Sequence, residues 1–202
     1  MIAIIDYGVG NLFSLSSSLN YLGLENEVTG SAAEIARADR LILPGVGAFG
    51  DAADKLRATG LVNCIREKVD QGAPMLGICL GMQLLFEKSY EYGEHEGLGL
   101  IEGQVCPLQN ELTPPLKVPH IGWNRLDILQ DDPIFRYIQN GDYVYYVHSF
   151  YAARCEKSTL AASNYGVNVP GVVRQGKVYG MQFHPEKSGR VGLNLLRAFS
   201  EL

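Results

Sequence analysis

Apolar and polar positions in the first half of the chain alternate between two periods. Short, continuous apolar runs read as buried strands at Ile2 to Tyr7, at Leu41-Ile42-Leu43-Pro44 and at Met75-Leu76-Gly77-Ile78. Helical spacing separates them. Leu12, Leu15, Leu19 and Leu22 share one helix face, and further helices are predicted near Asp51 to Arg57 and from Leu61 to Asp70. Ser31-Ala32-Ala33-Glu34 reads as a capping box opening a short helix. After Cys79, apolar residues at Met82, Leu85 and Phe86 resume the helical period. Strand and helix in alternation build a doubly wound α/β fold: a mostly parallel central sheet with helices on both faces.

The second half changes character. Tyr143 to His148 is rich in strand formers, and Leu160 to Ala162, Gly171 to Gln175 and Lys177 to Phe183 are closely spaced strand candidates. Gln175-Gly176 is a hairpin turn signal, so these strands are expected to be antiparallel. The last helix is predicted near Ser188, burying Leu195, Leu196 and Phe199. No repeat, linker or low-complexity segment interrupts the pattern, and one domain over residues 1–202 is expected.

Composition narrows the function classes. A net charge of -5 and 19% charged residues offer no basic stripe for nucleic acid. No apolar run approaches the ~20 residues of a membrane span. Met1-Ile2-Ala3-Ile4-Ile5-Asp6 meets an acid too early for a signal peptide and reads as the first strand. Cys64, Cys79, Cys106 and Cys155 are scattered, with no Cys-x-x-Cys pair, which points to a reducing, cytoplasmic compartment. No metal or cofactor is expected. His95, His120 and His148 are too dispersed for ligands, and His148 reads as a satisfied core histidine. Gly8-Val9-Gly10 opens like a dinucleotide fingerprint but carries Phe13 at the third glycine, which argues against a nucleotide site.

Two motifs carry chemistry. Gly77-Ile78-Cys79-Leu80-Gly81 places a thiol, framed by glycines, where a strand turns sharply into a helix. A lone cysteine after a strand is by default a small core hydrophobe. The glycine frame reverses that reading, because it leaves room for a strained turn at a helix start, where unpaired N–H groups favour thiolate. His184-Pro185-Glu186 follows at the end of a predicted strand. Pro185 biases His184 toward an extended conformation, in which residues two apart share a side. Glu186 can then orient the imidazole while its other nitrogen faces the thiol, giving a Cys-His-Glu acyl-transfer site. Pro44-Gly45-Val46-Gly47 is a common turn by itself; beside such a site its Gly47 N–H and the Leu80 N–H read as an oxyanion hole.

These motifs resemble class I glutamine amidotransferases, which have a flavodoxin-like α/β fold. Gly77 to Gln83, Pro44 to Gly47 and His184 to Glu186 carry the class resemblance. Asp6-Tyr7-Gly8-Val9-Gly10-Asn11-Leu12, Pro119-His120-Ile121-Gly122-Trp123-Asn124 and His184 to Gly189 are similar to the glutaminase subunits of imidazole glycerol phosphate synthases, over essentially the whole chain. The resemblance implies hydrolysis of glutamine to glutamate and ammonia. It implies a heterodimer with a (βα)8-barrel cyclase that uses the ammonia to convert PRFAR to imidazole glycerol phosphate and AICAR. It places Gly45, Val46, Gln83 and the backbone of Ser149 and Phe150 against glutamine, and Asn11, Trp123 and Lys187 at the partner interface. Phe150 stands where many members carry tyrosine, so a backbone contact is implied there. Rival readings are the glutaminase of pyridoxal phosphate or anthranilate synthase, and a non-catalytic module with Cys79 as a redox sensor. Free ammonia is mostly protonated at neutral pH, which is the physical reason to pass it directly between subunits.

Overall fold

The continuous apolar runs form the middle of one large sheet. The computed structural model describes residues 1–112 and 116–202. In chain order the elements are β1 (Ile2–Ile5), α1 (Leu12–Tyr21), β2 (Asn26–Thr29), α2 (Ala32–Arg37), β3 (Arg40–Leu43), α3 (Phe49–Ala58) and α4 (Leu61–Asp70). There follow β4 (Met75–Ile78), α5 (Leu80–Leu84), β5 (Phe86–Ser89), β6 (His95–Glu96), β7 (Ile101–Pro107), β8 (His120–Arg125) and β9 (Asp127–Ile128). The chain closes with β10 (Tyr143–His148), β11 (Phe150–Ala153), β12 (Thr159–Asn164), β13 (Asn168–Gln175), β14 (Val178–Met181) and α6 (Gly189–Ser200).

Eight strands make the large sheet in the order β2-β1-β3-β4-β14-β13-β12-β9. Its first five strands are parallel; the pairs from β14 outward to β9 are antiparallel. Alternation along β1 shows why helices cover both faces. Ala3 and Ile5 join the core beneath α2, α3 and α4. Ile2 and Ile4 pack instead with Leu15 and Leu19 of α1 and Leu195, Leu196 and Phe199 of α6. Each large apolar side chain buried this way contributes ~1.5–3 kcal/mol. A two-stranded ribbon (β10-β8) and a four-stranded sheet (β11-β7-β5-β6) complete the fold.

Register positions the site. β14 lies parallel to β4 with Met181 opposite Ile78. Cys79 therefore follows one strand directly beside the segment that carries His184 from the other, at the carboxyl edge where open α/β sheets bind ligands.

Three local expectations need correction. The helix after Cys79 stops at Leu84, and Phe86 begins β5. The N–H groups of Leu98, Leu100 and Ile101 take the carbonyls of Leu84 and Leu85, ending the helix from outside. Ser31 caps α2 without a side-chain hydrogen bond. Glu34 pairs with Arg37 rather than reaching back, so no capping box forms. The β13–β14 hairpin pairs Gln175 with Val178, which makes Gly176-Lys177 the turn.

Candidate active site

Cys79 joins β4 to α5 with φ 54° and ψ −112°, outside every ordinary region for a side-chain-bearing residue. Its glycine frame makes this turn possible. A Cβ at Gly81 would stand 1.8 Å from the Leu43 carbonyl oxygen, and one at Gly77 would stand 2.6 Å from the Gly81 oxygen. The elbow is thus pressed against the end of β3. Cys79 N–H donates to the Met181 carbonyl (2.8 Å), tying the cysteine to β14.

His184 Nδ1 lies 2.9 Å from Glu186 Oε1, and both side chains are almost wholly buried. His184 is extended, as Pro185 requires. Glu186, however, sits in a 3₁₀ turn over Pro185–Lys187, so the pair meets through a turn and not along a strand. Burial alone would push the His184 imidazole down. Its interactions with Cys79 and Glu186 outweigh that and raise it to about 9. The ring is therefore protonated at neutral pH, the state that can deliver a proton to a leaving amine.

A cleft of about 410 Å³ opens over Cys79 and His184. Val46, Gly47, Leu80, Gln83, Ser149, Phe150 and Lys187 all line it. Gly45 does not. It lines a small void with Asn11, His184 and Glu186, and a Cβ there would stand 2.7 Å from Gly81 N. It packs the loop closely on the elbow. Leu108 N–H donates to the Ser149 carbonyl (3.0 Å), which makes Phe150–Pro107 a pair without ladder hydrogen bonds. The Phe150 N–H and C=O consequently turn away from β7, and that carbonyl accepts Gln83 Nε2–H (3.0 Å). Phe150 N–H is left as the backbone donor.

Comparison with known proteins identifies the group that owns this geometry. Residues 3–200 match the family "Glutamine amidotransferase class-I". The chain is 50% identical to "Imidazole glycerol phosphate synthase subunit HisH" of Oceanobacillus iheyensis, over 100% of this chain and 99% of that protein. It is 48% identical to the protein of that name from Listeria monocytogenes serotype 4a, over 100% and 96%. The chain belongs to the class I glutamine amidotransferases. Its relatives place it in the HisH branch of that family. A solved glutamine amidotransferase, 22% identical, superposes with a TM-score of 0.77 over 99% of this chain and 97% of its own. The PurLQS structure from Thermotoga maritima, 19% identical, also gives 0.77 over 99% and 97%; both likenesses concern the fold.

Four further residues stand around the cleft; Tyr7 and Ser188 lie inside the longer motifs without a role of their own there, and Glu91 and Gln182 lie outside them. Glu91 lines the cleft and is buried, its Oε2 accepting Phe49 N–H (2.8 Å). Burial, the largest influence, raises its pKa. Gln182 bridges the Gln83 amide (3.0 Å) and the Cys79 sulfur (3.9 Å). Tyr7 O–H donates to the Pro44 carbonyl (2.8 Å), bracing the glycine loop from below. Ser188 Oγ donates to the His184 carbonyl (2.7 Å) and accepts Tyr145 N–H (2.9 Å), fixing the segment that holds His184.

Of the three partner residues expected from the sequence, Lys187 lines the cleft. Trp123 is half exposed on β8, edge-on to Tyr145 at 6.0 Å, with Gly189 beneath its ring. Lys187 is exposed at the cleft, and Asn11 opens α1 beside the void behind Glu186. Among the described residues no helix is long and apolar enough to cross a membrane.

The buried histidines give the amidotransferase a stability optimum. Burial pushes His120 down to about 4 and His148 down to about 3, from an ordinary 6.5. Their contribution is present above pH 6.5 and is lost as pH falls through those values. His184, raised to about 9, contributes fully below pH 6.5 and loses its contribution as pH rises through about 9. Melting temperature measured against pH should therefore peak between about 6 and 7. A monotonic rise from pH 5 to pH 9 contradicts these assignments.

Proposed function

We propose that this glutaminase domain, spanning residues 1–202, hydrolyses L-glutamine to glutamate and ammonia through a thioester on Cys79. The ammonia passes to a (βα)8-barrel cyclase, bound as a heterodimer in the cytoplasm, which converts PRFAR to imidazole glycerol phosphate and AICAR. The observation that carries the reading is the convergence of a strained cysteine, a buried His-Glu pair and a glycine loop on one cleft.

Cys79 sulfur attacks the side-chain amide carbon. The C=O electrons move to oxygen, where Leu80 N–H and, after loop rotation, Gly47 N–H take the charge. His184 gives its proton to nitrogen, the C–N bond breaks and ammonia leaves. His184 then takes a proton from water as it attacks the thioester, and glutamate departs with the sulfur restored. Glu186 keeps the His184 proton on Nδ1 and stabilises the imidazolium. At the other end of the substrate, Glu91 and Gln83 Oε1 face the α-ammonium group. Phe150 N–H, with Ser149 at the rim, faces the α-carboxylate. Trp123, Asn11 and Lys187 meet the cyclase, Lys187 through an acidic group on the barrel.

The test is glutamate release by the complex with and without PRFAR, for wild type and Glu91→Gln. Glutamine turnover that depends on the complex supports the reading. In the variant KM should rise by at least ~10-fold, as for a lost charged hydrogen bond, with a smaller change in kcat. No glutamate release under any condition removes the reading; an unchanged KM removes Glu91 from the site.

A further inference from the structure

His120 and His148 are buried histidines that the triad does not use, and they face each other across the β8–β10 ribbon. Their hydrogen bonds form one directed chain. His148 Nδ1 lies 2.8 Å from the Phe150 carbonyl oxygen, which can only accept, so Nδ1 carries the proton. The neutral ring then accepts at Nε2, where His120 Nδ1 approaches to 2.9 Å and must donate. His120 Nε2 is left as an acceptor, and the Asn124 amide nitrogen lies 3.3 Å away. Stacking against Tyr146 and Tyr165, with centroids at 4.6 and 4.0 Å, holds the His120 ring between them. All four ring nitrogens are matched only while both rings are neutral.

The chain ends on a carbonyl that belongs to the cleft. The Phe150 oxygen accepts from His148 and also from Gln83 Nε2. The second Gln83 amide hydrogen goes to Gln182 Oε1 (3.0 Å). With both hydrogens committed inward, the Gln83 oxygen is the atom left for the cleft. We infer that His148, supported by His120, is a positioning residue for the substrate's α-amino acid group: it fixes the Phe150 peptide and so the orientation of the Gln83 amide. This rests on reading the cleft as the glutamine site. Without the His148 donor, the Phe150 peptide loses one of two anchors and Gln83 is free to present its amide the wrong way round. The loss falls on recognition, while the sulfur keeps its elbow.

The experiment compares two electrophiles on the full chain, with labelling at Cys79 quantified by peptide mass spectrometry. A glutamine-shaped diazoketone, 6-diazo-5-oxo-L-norleucine, needs the α-amino acid subsite; iodoacetamide does not. In His148→Leu the ratio of diazoketone to iodoacetamide rate should fall about tenfold, the effect of one lost hydrogen bond. In His148→Asn the side-chain amide nitrogen takes the place of Nδ1, and the ratio should stay within about threefold of wild type. Equal loss in both variants, or a wild-type ratio in the leucine variant, overturns the inference. A wild-type chain with no preference for the diazoketone overturns the glutamine reading of the cleft itself, and this inference with it.

Discussion

Replacing Cys79 with alanine is expected to abolish glutamine-dependent synthesis in the complex and to leave synthesis from added ammonium salt intact. The expectation follows from how the site is built. The fold supports the elbow through backbone contacts: Cys79 N–H on Met181, Gln83 N–H on the Cys79 carbonyl, and two glycines pressed against β3 and α5. None of these needs sulfur, and alanine at φ 54° carries the same backbone strain that cysteine does. Removing a nucleophile from a working triad costs on the order of 10⁶ in rate. No other thiol can substitute, because Cys64, Cys106 and Cys155 lie outside the cleft lining. His184→Ala should follow the same pattern with a loss of at least ~10². Assaying one preparation with both nitrogen sources decides the matter. Equal loss with glutamine and with ammonium would mean that Cys79 serves the fold or the interface, and the proposed chemistry would fall.

The parts of this site that were legible in the sequence are those whose chemistry is local. The elbow and His184-Pro185-Glu186 each announce themselves within a few residues, because steric crowding and the proline restriction act between chain neighbours. β1, β3 and β4 were equally plain, since a strand buried on both faces must be apolar throughout. β2 was not. It is an edge strand in which Asn26, Glu27 and Val28 stay at least partly exposed, so its Asn-Glu-Val-Thr sequence carries no core signature. Glu91, Gln182 and Tyr7 escaped for a different reason. Each acts on a group dozens of residues away (Phe49, Gln83 and Cys79, Pro44), and the pairing exists only once the strands are in register. The early end of α5 belongs with them, because it is imposed by amides from residues 98–101. Gly45 is a motif residue whose close packing on the elbow shows only in the assembled fold.

The largest regulatory effect is expected at the Val46–Gly47 peptide. A glutaminase that ran freely would release ammonia with no acceptor, so the oxyanion hole is expected to be incomplete until the partner holds its own substrate. Leu80 cannot be the moving donor, since it is fixed in α5 and its Cβ lies under Gly45. The loop is freer. Val46 is 43% exposed, and a Cβ added to Gly47 would meet nothing within 4 Å. Gly47 has φ 96°, while Val46 is not among the positive-φ residues. Rotating the one peptide between them by about 180° reverses its N–H and C=O and carries Gly47 to a negative φ near −90°, the kind of change that separates type II from type I turns. If the form with φ 96° aims its carbonyl at the substrate, each turnover lacks one oxyanion donor, at a cost of ~2.7–4 kcal/mol or ~10²–10³ in rate. PRFAR bound to the partner should then raise glutamate release by at least that factor. Gly47→Ala separates this switch from other kinds of activation. An alanine side chain disfavours positive φ by ~1–2 kcal/mol, which should raise the partner-independent rate ~5- to 30-fold and shrink the stimulation correspondingly. A lower basal rate in Gly47→Ala, with stimulation undiminished, would show that the φ 96° form already presents its N–H and that the control lies elsewhere.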